Sequence, residues 1–154
     1  MVNYEMKQYI GTKIVSAIPA VRIDGVIYTY DKPIPCAMNS ENGYKVVYPD
    51  GYVSFSPKSV FEEAYRPTDD MSFGLAIEAA KKGHKIARRG WNGKSQYIEL
   101  AHSISYVSPD LRVINCNHDS IGNKAFAFVG TSGVQMGWLA SQADMLADDW
   151  YIVE

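Results

Sequence analysis

Cysteine is scarce in this sequence of 154 residues, which contains only Cys36 and Cys116. The two lie far apart without the spacing of metal ligands, so we expect free thiols in a reducing cytoplasm and not a disulfide. Long apolar runs are also missing. No stretch reaches the ~18 apolar residues of a membrane span, and the start, MVNYEMKQYIG, lacks an apolar signal core. We therefore expect a cytoplasmic protein that has no contact with a membrane.

An excess of positive charge is absent too, because 15 lysines and arginines face 17 aspartates and glutamates, for a net charge of -2. Proteins that bind long nucleic acids usually present a basic face that displaces counterions. The charge balance therefore argues against a long nucleic acid as partner. A small phosphorylated ligand remains compatible, since two arginines and a few backbone amides can hold it.

Enzyme signatures are weak. The stretch 90–95 ends in Gly-Lys-Ser but lacks the four-residue gap between the glycines of a phosphate-binding loop. Asp144, Asp148 and Asp149 could hold Mg²⁺, but acids on a short helix are more often a solvated face. The histidines occur singly, at His84, His102 and His118. We predict no metal site, no cofactor and no catalytic residue.

The first part of the chain has the pattern of a small α+β unit built on a hairpin and a helix. Residues 13–18 and 25–28 are predicted strands, and residues 44–48 and 52–55 flank a Pro-Asp-Gly turn that predicts a hairpin. A short helix is predicted to follow as far as Tyr65, with Ser56 as its N-cap and Pro57 in its first turn. The stretch 66–70 is typical of a linker, so we predict a small α+β domain of unknown role over residues 1–67.

The second predicted domain, residues 71–154, combines an antiparallel sheet with few short helices. Its first helix is predicted from Phe73 to Lys82, with Ser72 as N-cap and Gly83 just beyond its end. A short helix is predicted over residues 142–149. Predicted strands cover residues 84–87, 96–100, 112–114, 125–129 and 151–153. The helices are too few to connect parallel strands, so the fold class is α+β.

Arg89-Gly90-Trp91-Asn92-Gly93 is the segment most suggestive of binding, because two glycines bracket a tryptophan and an asparagine after a predicted strand. In one interpretation Trp91 anchors the core beside a tight turn. In the other, glycine permits close approach of a ligand, Trp91 stacks on a base and Asn92 contacts a polar edge. Composition alone favours neither.

Residues 138–150 and the start of the first helix of this domain show the same ambiguity. Ser141 followed by Asp144 resembles a capping box, yet a helix start also offers free N–H groups to an anion. Ala143, Leu146, Ala147 and Trp150 share one arc of the predicted helix, which indicates packing. Gly74 at an early helical position costs stability, so a ligand or a neighbouring strand is expected to approach it closely.

Three segments, MSFGLAIE (71–78), KIARRGWNGK (85–94) and WLASQADMLADDW (138–150), together resemble the second family of Thoeris anti-defence proteins of phages and prophages. The resemblance covers residues 71–154. It implies a non-enzymatic, oligomeric protein of the host bacterial cytoplasm. Such a protein binds cyclic ADP-ribose isomers made by bacterial TIR enzymes, such as glycocyclic ADP-ribose, and sequesters them without cleavage. Some members are also reported to hold cyclic dinucleotides in a separate pocket.

Carried over residue by residue, the resemblance implies a set of residues that line or support the ligand pocket: Phe73, Gly74, Arg89, Trp91, Asn92, Trp138, Ser141, Gln142 and Asp144. Because the domain is a small scaffold, we expect pockets shared between subunits of a homo-oligomer, a dimer or a tetramer. Two alternatives remain open. One is a hydrolase of the same cyclic nucleotide, and the other is a phage structural or host-interaction module in which the tryptophans only pack.

Overall fold

The computed structural model describes residues 6–91, 95–115 and 124–154 and divides the chain into two compact units, Met1–Arg66 and Pro67–Glu154. All strand pairs are antiparallel and the helices are short, which confirms the predicted α+β class. None of the helices within these described ranges combines the length and apolarity needed to cross a membrane. Cys36 is exposed, and Cys116 lies outside the described residues.

The first unit is a four-stranded sheet with strand order β2-β1-β3-β4, followed by one helix. Its elements are β1 (Ser16–Ile23), β2 (Val26–Thr29), β3 (Ser40–Val47), β4 (Val53–Pro57) and α1 (Lys58–Ala64). The predicted hairpin is confirmed, because Val47 pairs with Val53 around a turn in which Gly51 has a φ of 86°. The helix packs on this hairpin through Phe61, whose ring stacks on Tyr44 at 4.2 Å.

Several boundaries in this unit were predicted wrongly, among them the start of β3, which was expected at Tyr44 but lies at Ser40. β1 was expected to end at Ile18 but continues through Pro19 to Ile23. Pro19 precedes Ala20, the first β1 residue that pairs with β2, so the proline lies where β1 has a partner strand on one side only. Ser56 is not the N-cap of α1. It belongs to β4 and pairs with Tyr44, and the helix N-cap is Pro57, which has no capping side chain.

The second unit is a five-stranded sheet with strand order β10-β9-β6-β5-β11, together with a separate two-stranded ladder and two helices. Its elements are α2 (Phe73–Lys81), β5 (Lys85–Arg88), β6 (Tyr97–Ala101), β7 (Ser105–Val107), β8 (Val113–Asn115), β9 (Ala125–Gly130), β10 (Gly133–Met136), α3 (Gln142–Met145) and β11 (Trp150–Val153). Within the described part of this unit, β7 pairs with β8 alone. β7 and β10 were not predicted.

The core of this unit lies between α2 and the sheet. Ile86 of β5, Ile98 of β6 and Trp150 of β11 are fully buried, and Ala76 and Ala80 of α2 pack against them. A bridge between Met71 and Trp150 joins the chain just before α2 to the edge strand β11. α2 therefore begins beside the strand that carries the most deeply buried tryptophan.

The end of α2 was predicted correctly from the sequence, whereas the end of α3 was not. Gly83 has a φ of 95° directly after the C-cap Lys82, as predicted for a glycine beyond a helix end. α3 was expected to extend to residue 149 but ends at Met145. Trp150 is a buried strand residue, and Leu146, placed on the same helical arc, is 79% exposed. Burial of Trp150 in the sheet therefore replaces the longer helix.

We predict that Ile98→Ala lowers the free energy of unfolding of the second unit by about 2 to 5 kcal/mol, because it opens a cavity at a fully buried position. All three tryptophans lie in this unit, so tryptophan fluorescence during urea unfolding reports on it specifically. Val134→Ala, at a position that is 63% exposed, is the control and should change stability by less than about 0.5 kcal/mol. Equal effects of the two substitutions would contradict the core assignment.

Candidate functional site

Five aromatic rings from five different segments meet at one end of the second unit. They are Phe73 at the start of α2, Trp91 after β5, Phe128 of β9, Trp138 after β10 and Trp150 of β11. Trp150 is fully buried, while the other four rings are partly buried and pack against the core. We call this group the aromatic cluster. It has a buried centre and a rim in contact with solvent.

Trp91 meets its neighbours in the aromatic cluster edge to face, whereas Phe73 makes tilted contacts. Trp91 lies 5.3 Å from Trp150 and 6.4 Å from Trp138, with interplanar angles of 79° and 68°. Phe128 contacts Trp91 in the same manner, at 61°. Edge contacts of this kind hold an aromatic ring without a parallel ring covering its face. The cluster therefore anchors Trp91 while the residue stays only partly buried.

Gly137 brings Trp138 to the cluster. It has a φ of 78°, in the left-handed region that favours glycine, and it ends β10 with a sharp change of direction. The backbone N–H of Trp138 then donates to the carbonyl oxygen of Phe126 at 2.8 Å. The turn thus returns the chain to β9, where the Trp138 ring reaches Phe73 at 6.4 Å.

Asp144 links the cluster to the start of α3. Its Oδ1 accepts hydrogen bonds from Arg88 Nη1 at 2.8 Å and from Trp91 Nε1 at 3.2 Å. Its Oδ2 accepts from the backbone N and the Oγ of Ser141, at 3.0 and 2.7 Å. Its backbone carbonyl accepts from the indole of Trp150 at 2.9 Å. One aspartate thus holds two of the three tryptophans.

The capping box predicted at Ser141 is confirmed, because Asp144 N donates in return to Ser141 Oγ at 3.1 Å. The Ser141 hydroxyl is therefore both donor and acceptor within the cap. Both residues act on the site by holding the start of α3, which fits the supporting role implied for them. Gln142, the first residue of α3, is exposed.

Asp144 remains charged despite its burial. Burial raises the pKa of its carboxyl, but hydrogen bonds from Arg88 and Ser141 outweigh this effect and lower the pKa to about 2. The Asp149 carboxylate accepts from Arg88 Nε at 2.8 Å, and this hydrogen bond lowers the pKa of Asp149. The guanidinium of Arg88 thus lies between the two carboxylates, where a bound Mg²⁺ would have to lie. Among the described residues no group of three or more metal-ligating side chains is arranged around a metal site.

Gly90 has a packing reason to be glycine. Its backbone N donates to Asp149 Oδ2 at 2.8 Å, and a Cβ at this position would lie 2.9 Å from the same oxygen. A larger residue would push Asp149 away from the backbone. The sequence suggested that a ligand approaches this glycine closely. In the structure the Asp149 carboxylate makes this approach.

Gly74 differs, because a Cβ added there would meet nothing within 4 Å. Among the described residues no neighbouring strand approaches this glycine, which leaves a ligand as the other of the two alternatives. Gly74 is exposed in the first turn of α2, where the leading N–H groups have no acceptor within the helix. The space above it is open to another molecule.

Arg89 lies close to the start of α2 with its charge accessible. Its side chain is 54% exposed, and its guanidinium is 3.9 Å from the carboxylates of Asp69 and Asp70, which precede α2. It also lies 5.7 Å from the ring centre of Tyr151. Exposed ion pairs of this length are weak, so an anionic ligand can displace them.

The structure brings most of the expected site residues together. Phe73, Trp91 and Trp138 form the rim of the aromatic cluster, and Ser141 and Asp144 support it. Arg89 and Gly74 lie at the adjacent start of α2. Asn92 lies outside the described residues, as does His118.

Sequence reasoning missed the residues that join these parts, Arg88, Asp149 and Phe128. A signal for Arg88 was present. In strand β5 it shares a face with Ile86, two positions earlier, and Ile86 is fully buried. An arginine on the core side of a strand requires carboxylate partners, and residues 144–149 contain three aspartates.

Comparison with known proteins finds similarity in this unit. A family model described as "Thoeris anti-defense 2-like domain" (Tad2-like) matches residues 71–153, about half of the chain. One similar protein, "Thoeris anti-defense 2" of Bacillus phage SP01, is 36% identical over 85 residues, which cover 54% of this chain and 94% of that protein. The matched region contains the aromatic cluster, Arg89 and both helices of the unit.

We predict that Asp144 makes the stability of the second unit depend on acid pH. Its folded-state pKa of about 2 is below the ordinary value of 3.8, so its contribution is complete above about pH 4 and is lost as the pH falls toward 2. Asp144→Asn should lower the free energy of unfolding by about 1 to 3 kcal/mol at pH 6 and by less at pH 3. Urea unfolding followed by tryptophan fluorescence measures both. Val134→Ala, at an exposed position without a titratable group, should keep the wild-type pH dependence. If Asp144→Asn also keeps the wild-type pH dependence, this role of Asp144 is refuted.

Proposed function

Because this chain belongs to the Thoeris anti-defence 2-like family, we propose that its second unit binds a cyclic ADP-ribose signal, such as glycocyclic ADP-ribose, and sequesters it without cleavage. Family membership supports a phage anti-defence role. We propose that binding and sequestration of the signal are how the protein performs that role. A sponge for a signal needs tight binding and slow release in a site formed before the ligand arrives.

The observation that carries the proposal is the rim of the aromatic cluster beside an accessible arginine. Phe73, Trp91 and Trp138 are partly buried and are held by tilted and edge-to-face ring contacts, so we expect a base to stack on a ring that is already in place. Stacking contributes about 1 to 3 kcal/mol per base. The rim therefore suits the adenine of a cyclic ADP-ribose isomer.

The pyrophosphate of such a ligand needs cationic and N–H donors. Arg89 is exposed and held only by ion pairs of 3.9 Å to Asp69 and Asp70. The first turn of α2, with open space above Gly74, offers backbone N–H groups next to Phe73 of the rim. Stacking and anion contacts are thus available side by side.

Phe73, Gly74, Arg89, Trp91 and Trp138 are therefore proposed to contact the ligand. Ser141 and Asp144 are proposed to support the pocket, since their polar atoms are engaged with each other and with the core. The proposed contacts of Asn92 and Gln142 rest on the family resemblance. A cyclic dinucleotide is the second ligand that we propose, in a separate pocket, on the ground of the family resemblance.

We predict that Arg89→Gln lowers the affinity for the cyclic ADP-ribose isomer by about 10- to 100-fold, since it removes a charge-assisted contact to phosphate. Isothermal titration calorimetry measures this loss. Arg112→Gln removes another exposed guanidinium and should keep the wild-type affinity. Heating the loaded protein should return intact ligand, as expected for a sponge. Recovery of only cleaved ligand would indicate a hydrolase, and the absence of any binding would refute the proposal.

We also propose that the protein acts as a homo-oligomer, a dimer or a tetramer. Leu139 is 89% exposed and Leu146 is 79% exposed, on either side of the short helix that supports the site. Apolar side chains of this size so close to a site fit contact with another subunit. Light scattering after size exclusion should give two or four copies. A monomer at micromolar concentration would refute this assembly.

A further inference from the structure

Arg88 is adjacent to the proposed ligand arginine but has a different environment. Its side chain is only 16% exposed, and it lies at the end of β5 on the face of the buried Ile86. Two carboxylates occupy its guanidinium: Asp144 Oδ1 accepts from Nη1 and Asp149 Oδ1 from Nε, both at 2.8 Å. These hydrogen bonds raise the pKa of Arg88, with the bond to Asp149 the larger cause. The guanidinium of Arg88 is thus engaged with two carboxylates of the protein itself.

Each of the two carboxylates also accepts a hydrogen bond from the segment that follows Arg88. Asp149 Oδ2 accepts from the backbone N of Gly90 at 2.8 Å. Asp144 Oδ1 accepts from the indole Nε1 of Trp91 at 3.2 Å. The guanidinium and the next two residues of the chain are thus attached to the same two aspartates.

We propose that Arg88 is a positioning residue of the binding site, which holds the Asp144 carboxylate where it fixes the indole of Trp91. This inference rests on the proposed function in one respect, namely that the site to which Trp91 belongs binds a ligand; the hydrogen bonds that fix Trp91 do not depend on it. The two neighbouring arginines therefore have different roles in the site. Arg88 orients the Trp91 ring through Asp144, and the exposed Arg89 is available to bind the anion.

Removal of the Arg88 charge should release Trp91. The two carboxylates that share the guanidinium would then have no cation to neutralise them, and neighbouring like charges repel. Asp144 would keep its cap on α3 through Ser141 but lose its strongest link to β5. The Trp91 indole would lose a fixed acceptor.

The test uses the indole N–H resonances of the free full-length protein in a ¹H–¹⁵N correlation spectrum. In Arg88→Gln the Trp91 resonance should shift and exchange faster with solvent. The Trp150 resonance should move less, because its acceptor is the Asp144 backbone carbonyl. Arg89→Gln is the matched control and should leave both resonances in place. A wild-type Trp91 resonance in Arg88→Gln would overturn the proposal.

Titration of the same resonance separates positioning from general stabilisation. The charged group that faces Asp144 is Arg88 of β5, with Asp149 on the opposite side of the guanidinium. In Arg88→Gln the carboxyl pKa of Asp144 should rise, so the Trp91 resonance should titrate at mildly acid pH. In the wild type it should stay constant down to about pH 3, since the Asp144 pKa is about 2. Identical titrations in the two proteins would overturn the proposal.

Ligand affinity is the last measurement. Arg88→Gln should weaken binding of the cyclic ADP-ribose isomer at least about tenfold, the lower part of what one stacked base contributes. If this variant does not fold, the same spectrum of Arg88→Lys tests the proposal. An ammonium cannot hold both carboxylates as the guanidinium does, so a shifted Trp91 resonance supports the proposal and an unshifted one overturns it. If the resonances move as expected but the wild type binds no nucleotide, the proposed function fails while the positioning role stands.

Discussion

The ion pair between Arg88 and Asp144 is the interaction on which the rest of the second unit's site depends. A carboxylate that is 13% exposed is stable there only because a guanidinium neutralises it and further donors saturate its oxygens. Through this one charge the end of β5, the start of α3 and the indole of Trp91 are tied together. Asp149 extends the same network to the backbone of Gly90. The elements are far apart in sequence, so these partly buried charges fix a geometry that local propensity cannot.

This network removes the conflict between the two interpretations of Trp91. The ring packs on Trp150 and Phe128, which makes it part of the core, and its indole N–H is held by Asp144. A ring anchored in this way loses little conformational entropy when a base stacks on it, because its orientation is set before binding. Packing is therefore what would make the ring a good binding surface. A loop that only presented Trp91 to solvent would have to order it at the expense of affinity.

Local patterns were sufficient to predict much of the fold, including the hairpin around Gly51, the helix α2 with Gly83 beyond its end, and the capping box at Ser141. Each is set by residues within a few positions of one another. The failures came where distant residues decide. A helical wheel placed Trp150 and Leu146 on one arc, but pairing of β11 with β5 buries Trp150 in the sheet and leaves Leu146 exposed. Arg88 escaped notice for the same reason, since its partners lie 56 and 61 residues away.

The state of Asp144 also bears on the choice between a sponge and a hydrolase. A general base works best when its pKa lies near the working pH and when an oxygen is free to take the proton. Asp144 has a pKa of about 2, and each of its carboxylate oxygens already accepts two hydrogen bonds. Proton abstraction would break the contacts that hold Trp91 and the start of α3. The proposed sequestration asks of Asp144 only that its carboxylate remain charged and in place, and the contact with Arg88 maintains that state.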